Sequence, residues 1–150
     1  MLNNIEIIQI GKLMYQNQPF IKRYTWDEAN EYAKNLKLGG FDDWRLPTID
    51  ELSKIRHPEL DKWEGSETWI QWMERHKNII SKNIKGRRCC ARKAFAKNMP
   101  AYSFFWSSTE YDNPGDYNIY YNSVLVEYFN DIVPTHLRKE NQDFVICVRG

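Results

Sequence analysis

The chain has 150 residues, 15% of them aromatic, and a formal net charge of +1. That length suits a single domain over residues 1–150 that buries roughly two-thirds of its unfolded surface and needs no staples. The near-neutral balance gives no support to a nucleic-acid partner, and no apolar run approaches the ~20 residues of a membrane span, so a soluble chain without membrane insertion is expected.

Ile5 to Ile10 is short and β-branched and predicts a strand, which Lys12 to Tyr15 would continue beyond Gly11. Thr25-Trp26-Asp27-Glu28 is a capping box. The helix it opens is expected to run to Gly39-Gly40, residues suited to a left-handed cap, with Trp26, Ala29, Tyr32 or Ala33, and Leu36 on its apolar face. In Asp42-Asp43-Trp44-Arg45-Leu46-Pro47-Thr48-Ile49-Asp50-Glu51-Leu52, Pro47 pushes Leu46 into an extended conformation. Thr48 and Glu51 form a second capping box, so a helix starts at Ile49. Pro58 should stop it near Arg56. A third helix is predicted from Glu67 to Ile80, where Trp69, Trp72, Met73, His76 and Ile79 share a face.

Between Lys77 and Lys97 the chain carries eight basic residues (Lys77, Lys82, Lys85, Arg87, Arg88, Arg92, Lys93, Lys97) and no acidic one, which leaves 13 basic against 20 acidic residues elsewhere. The period then changes. Phe104 to Ser108 predicts a buried strand, Asp112-Asn113-Pro114-Gly115-Asp116 a turn, and Tyr117 to Tyr121, Val124 to Phe129 and Phe144 to Arg149 three more strands. Asn122-Ser123 and a polar loop around Pro134 to Gln142 separate them. Helices first and an antiparallel sheet last make an α+β fold, with the N-terminal strand placed to pair beside the C-terminal one.

Four segments stand out in this order: Tyr24-Thr25-Trp26-Asp27-Glu28-Ala29, Gly39-Gly40-Phe41-Asp42-Asp43-Trp44-Arg45-Leu46-Pro47-Thr48, Phe105-Trp106-Ser107-Ser108-Thr109, and Cys147-Val148-Arg149-Gly150. Together they resemble the Lcl C-terminal domain family of bacterial collagen-like adhesins. The resemblance implies a C-type lectin-like fold, with two or three helices packed on a compact, mostly antiparallel sheet and loops on one side presented for ligand. It also implies an exported, periplasmic or cell-surface protein without enzymatic activity; the best studied kind of member binds sulfated polysaccharide. The chain departs from the pattern in a long basic insert at about 64–102 and in Tyr120 and Tyr121, which stand near where an Ala-Trp pair is common.

Trp26, Trp44 and Trp106 fall inside these motifs and read as core rings, with Arg45 as a structural partner of nearby carboxylates or carbonyls. The functional candidates are Lys85, Arg87, Arg88, Arg92 and Lys93. Guanidinium forks and ammonium charges meet sulfate, phosphate or carboxylate, so the expected partner is an anionic glycan or an acidic protein surface. The alternative is a structural subunit that docks to a protein in a larger envelope assembly. A homo-oligomer is compatible with either.

Glu110, Asp112, Asn113 and Phe129-Asn130-Asp131 offer hard oxygen ligands for Ca²⁺ but are equally turn formers. His57, His76 and His136 are too scattered for zinc, and neither a metal nor another cofactor is expected. The odd set of Cys89, Cys90 and Cys147 excludes complete internal pairing and leaves one bridge, Cys147 to Cys89 or Cys90, or idle thiols. A formylglycine-generating-enzyme-like reading would use Cys89, its thiolate favoured by Arg88 and Arg92, but no base is evident and no catalytic residue is assigned.

Overall fold

The computed structural model describes residues 6–61, 65–100, 104–111, 123–128 and 135–150. Strands β1 (Ile7–Ile10) and β2 (Leu13–Gln16) pair antiparallel. Instead of continuing, the chain reverses at Gly11-Lys12, because Gly11 adopts φ +62° and Ile10 pairs with Leu13. Helix α1 (Trp26–Asn35) starts with the complete Thr25/Glu28 capping box. It ends well before Gly39-Gly40, since Leu36 is already extended (ψ 128°). The two glycines, at φ +64° and +82°, instead make the turn that joins Leu38 to Phe41.

Helix α2 (Ile49–Ser53) starts at the predicted Thr48/Glu51 box and stops earlier than predicted, and residues 58–61 form a 3₁₀ turn. Helix α3 (Trp69–His76) is capped by a third box, Thr68 with Gln71, and buries Trp72 and His76. Strands β3 (Ser81–Lys82) and β4 (Arg88–Cys89) form a small hairpin, followed by α4 (Lys93–Ala96). The described residues thus hold four α-helices. Strands β5 (Phe104–Tyr111), β6 (Ser123–Tyr128) and β7 (Thr135–Arg138) form an antiparallel sheet, and β8 (Val148–Arg149) pairs with β2, so the two chain ends meet as expected. The polar segment around Pro134 to Gln142 contains β7. From Phe144 to Arg149, only the last two residues before Gly150 form a regular strand; Phe144 makes an isolated bridge to Phe105. Residues 112–122 and 129–134, with the predicted turn, the Tyr117–Tyr121 strand, most of the calcium candidates, and Tyr120 and Tyr121, lie outside the described residues.

The motifs are joined to one another in space. Arg45 and Val148 exchange two backbone hydrogen bonds of 2.9 Å, and Arg149 forks onto Asp43 while lying 3.7 Å over the Phe41 ring. Arg45 itself donates to both oxygens of Glu51 (2.7 and 2.9 Å) rather than to its neighbours Asp42 or Asp43. Trp44 and Trp106 are buried, their indole N–H groups donating to the carbonyls of Leu38 and Tyr24. Trp26 is half-buried and donates to Ser107. These rings are therefore packing and fastening groups, at a scale where each buries on the order of 150–250 Å².

Candidate functional site

The basic segment folds into the body of the domain. Cys89, Ala91, Phe95, Ala96 and Met99 share one apolar cluster with Tyr15, Leu52, Ile55 and Phe105, and Cys90 packs with Leu60 and Trp72 in another. Hydrogen bonds fasten it on two sides. On one side Arg92 N–H donates to Ile55 and His57 N–H to Cys90. On the other, Asn17 donates to Ala94 while Asn98 donates to Asn17. Order here follows from apolar residues threaded among the charges.

On that base stands the β3–β4 hairpin. Its turn is tied by the buried Asn83, whose side-chain oxygen accepts the N–H groups of Lys85 (2.9 Å) and Arg87 (3.1 Å). Gly86 takes φ +73° and closes the reversal. Register places Lys82 opposite Arg88 and Ser81 opposite Cys89. Because side chains alternate, Cys89 points into the core while Lys82 and Arg88 share the exposed face.

Of the predicted residues, Lys85, Arg87 and Arg88 therefore sit on one hairpin, all exposed, and Lys82 joins them through a register that no local motif announces. Lys93 is exposed at the start of α4. Arg92 is half-buried, and its Nε donates to the Lys54 carbonyl at 2.7 Å, so part of its fork is structural. Lys77 is held by Glu74 at 2.6 Å. An open cleft of about 420 Å³ lies nearby in sequence, lined by Glu59, Arg75, His76, Asn78 and Ile79. There Arg75 is engaged by Glu67, and His76 Nδ1 lies 2.8 Å from the Trp72 carbonyl.

Of the two alternatives the sequence leaves open for the cysteines, a single bridge or idle thiols, the structure has no bridge: Cys89, Cys90 and Cys147 form no disulfide and are buried in three different apolar clusters. Burial pushes the Cys89 thiol up to about 11, the opposite of activation by Arg88 and Arg92, and raises Cys147 as well. Sequence reasoning also passed over Gln16, Gln18, Tyr24 and Tyr32, which line a second, smaller cleft of about 90 Å³. What brings them together is a hydrogen bond between residues 131 positions apart, from Cys147 N–H to Gln16, which leaves no local trace in the sequence. Among the described residues no three His, Cys, Asp or Glu side chains are grouped to hold a metal, and no helix is long and apolar enough to cross a membrane.

No curated protein matches the chain in sequence. Solved structures similar to it include botrocetin, at 8% identity with 97% of each chain covered and a TM-score of 0.48. Another is EMS16, an antagonist of the collagen receptor integrin α2β1, at 13% identity, 97% coverage of each chain and a TM-score of 0.45. Likenesses this remote carry no residue equivalence. The architecture agrees with the α+β, C-type lectin-like fold that the four motifs imply. The profile of the Lcl C-terminal domain family matches residues 9–149, nearly the whole length, and the chain belongs to that family.

Proposed function

We propose that this protein is a non-enzymatic bacterial recognition domain, exported and displayed at the cell surface, that binds an anionic glycan through its β3–β4 hairpin. Family membership supports recognition of carbohydrate or protein in general. The observation that carries the finer reading is a hairpin, fastened to the core, that presents Lys82, Lys85, Arg87 and Arg88 to solvent with Lys82 and Arg88 in register. Preorganised cations need little ordering when a sulfated or carboxylated chain arrives, which favours binding. Against catalysis stands the Cys89 thiol, which burial keeps protonated.

A second reading is favoured by Ile84 at the hairpin turn and Ile70 on α3, which are 54% and 78% exposed within the same segment. Exposed apolar side chains beside cations suit docking to an acidic protein surface. Salt separates the two, because contacts between exposed charges are screened and buried apolar ones are not.

The test is binding of the purified domain to heparin and to neutral glycan surfaces across a salt series. Beside it runs a variant with Lys85, Arg87, Arg88 and Lys93 changed to Ser. Salt-sensitive binding to heparin that the variant loses supports the glycan reading. No binding by the intact domain at low salt overturns it and shifts the weight to the protein-docking subunit.

A further inference from the structure

The small cleft between the segment after β2 and helix α1 is lined by Gln16, Gln18, Ile21, Lys22, Tyr24 and Tyr32 among others, and its volume of about 90 Å³ has room for about three waters. Its floor is an oriented network. Gln16 is 2% exposed, and its Oε1 accepts the Cys147 N–H at 3.1 Å. A backbone N–H can be met there only by the oxygen, so the amide has a single orientation and Nε2 must donate. It does so twice, to Gln18 Oε1 at 3.0 Å and to the Tyr32 hydroxyl at 2.8 Å.

Two consequences follow for the cleft. The Tyr32 oxygen is accepting, so its proton is left to donate. Gln18 has given its oxygen to Gln16, so its NH₂ end, with two N–H donors, is the end left for a ligand. Tyr24 adds a second hydroxyl and a ring face, its centroid 5.0 Å from that of Tyr32 at a 40° tilt. Burial holds both phenols above their ordinary range, so both stay neutral hydroxyls. The Lys22 ammonium lies 5.1 Å from the Tyr24 ring, and its charge is felt by Glu28, whose carboxyl is drawn below its usual range chiefly by Thr25 and in part by Lys22. Among the described residues Lys22 is the one charged residue lining the cleft, and Ile21, 84% exposed, supplies an apolar lip.

We propose that this cleft is a second binding site, separate from the basic hairpin, that takes the hydroxyl edge of a neutral pyranose. Sugar hydroxyl oxygens accept from Tyr32 and from the Gln18 amide, a sugar hydroxyl donates to the Tyr24 oxygen, and the C–H face of the ring lies on the tyrosine. The donors and acceptors that Gln18, Tyr24 and Tyr32 present are uncharged, which makes neutral hydroxyls the groups they match.

Saturation-transfer NMR on the intact domain tests it with the methyl glycosides of glucose, galactose, mannose and N-acetylglucosamine, and with glucuronate as the charged comparison. The expected result is transfer to at least one neutral glycoside, with a Kd on the order of 1 mM and little change between about 0.05 and 0.5 M salt. Tyr32→Phe keeps the ring, and Gln18→Ala leaves Gln16 bonded to Cys147; each is expected to weaken binding about tenfold. The Lys85, Arg87, Arg88 and Lys93 to Ser variant should bind the same sugar as the parent does, so this site and the hairpin stand or fall separately. Silence from all four glycosides overturns the proposal. So does tighter binding of glucuronate, or a signal that survives Tyr32→Phe combined with Gln18→Ala.

Discussion

Asp143 is 7% exposed, and among the described residues its Oδ2 has no hydrogen-bond partner. Burial pushes its carboxyl up to about 7, against the pull of Arg23. The folded chain therefore holds a proton that the unfolded chain releases near pH 4, and stability contributed by this group is lost as pH rises through about 7. Asp143→Asn keeps the backbone pairing with Tyr24, and should stabilise the domain at pH 8 by on the order of 1–3 kcal/mol while changing little at pH 4. Urea unfolding at both pH values measures this; an equal effect at both would refute it. Glu51 works in the other direction. Its carboxylate accepts a fork from Arg45 and the Thr48 N–H, which together hold it at about 2. Its stabilisation is complete above pH 4.5 and fades as pH falls through about 2. Glu51→Gln should cost about 1–2 kcal/mol at neutral pH, and that cost should shrink steadily in acid. The capping role of Glu51 was legible from Thr-x-x-Glu alone; its pairing with Arg45 was not, because only the bend at Pro47 brings the two together.

At the scale of elements, the β3–β4 hairpin owes its shape to two residues that carry no charge. A Cβ at Gly86 would meet nothing within 4 Å, so Gly86→Ala is penalised by backbone strain at φ +73° alone, about 1 kcal/mol. Asn83→Ala removes the acceptor for two backbone N–H groups. Hydrogen exchange at Lys85 and Arg87 should then quicken markedly, and heparin affinity should fall several-fold with every basic residue still present. Unchanged affinity would show that charge alone, without presentation, suffices. The starts of α1 and α2 were readable because a capping box is a contact between residues three apart. Ends were not. Leu36 turns extended before the glycines are reached, and β7 forms in a polar stretch because β6 offers it an edge, a tertiary cause invisible in a window of sequence.

For the whole molecule, the motifs meet where the ends of the chain meet. Asp43 with Arg149 and Arg45 with Val148 join pieces more than 100 residues apart, which accounts for their joint specificity. The basic run was legible as a candidate, its anchorage was not, since Asn17 and Ile55 reach it from segments that carry no charge pattern. That anchorage makes a claim about cooperativity. Cys89 and Cys90 lie in the basic segment and Cys147 beside the first helix, each buried in a different apolar cluster, so the three thiols report on separate regions. If the basic segment were an appendage, Cys89 and Cys90 would become reactive by local opening at a fraction of the global unfolding free energy. Because Cys89, Phe95 and Met99 share a cluster with Tyr15 and Phe105, opening that segment exposes the central core. A thiol reagent applied across a urea series should therefore label all three cysteines with the same free energy and the same urea dependence. Labelling of Cys89 and Cys90 well ahead of Cys147 would mean that the hairpin rides on an independently melting segment, and the rigid presentation on which its anion affinity rests would be gone.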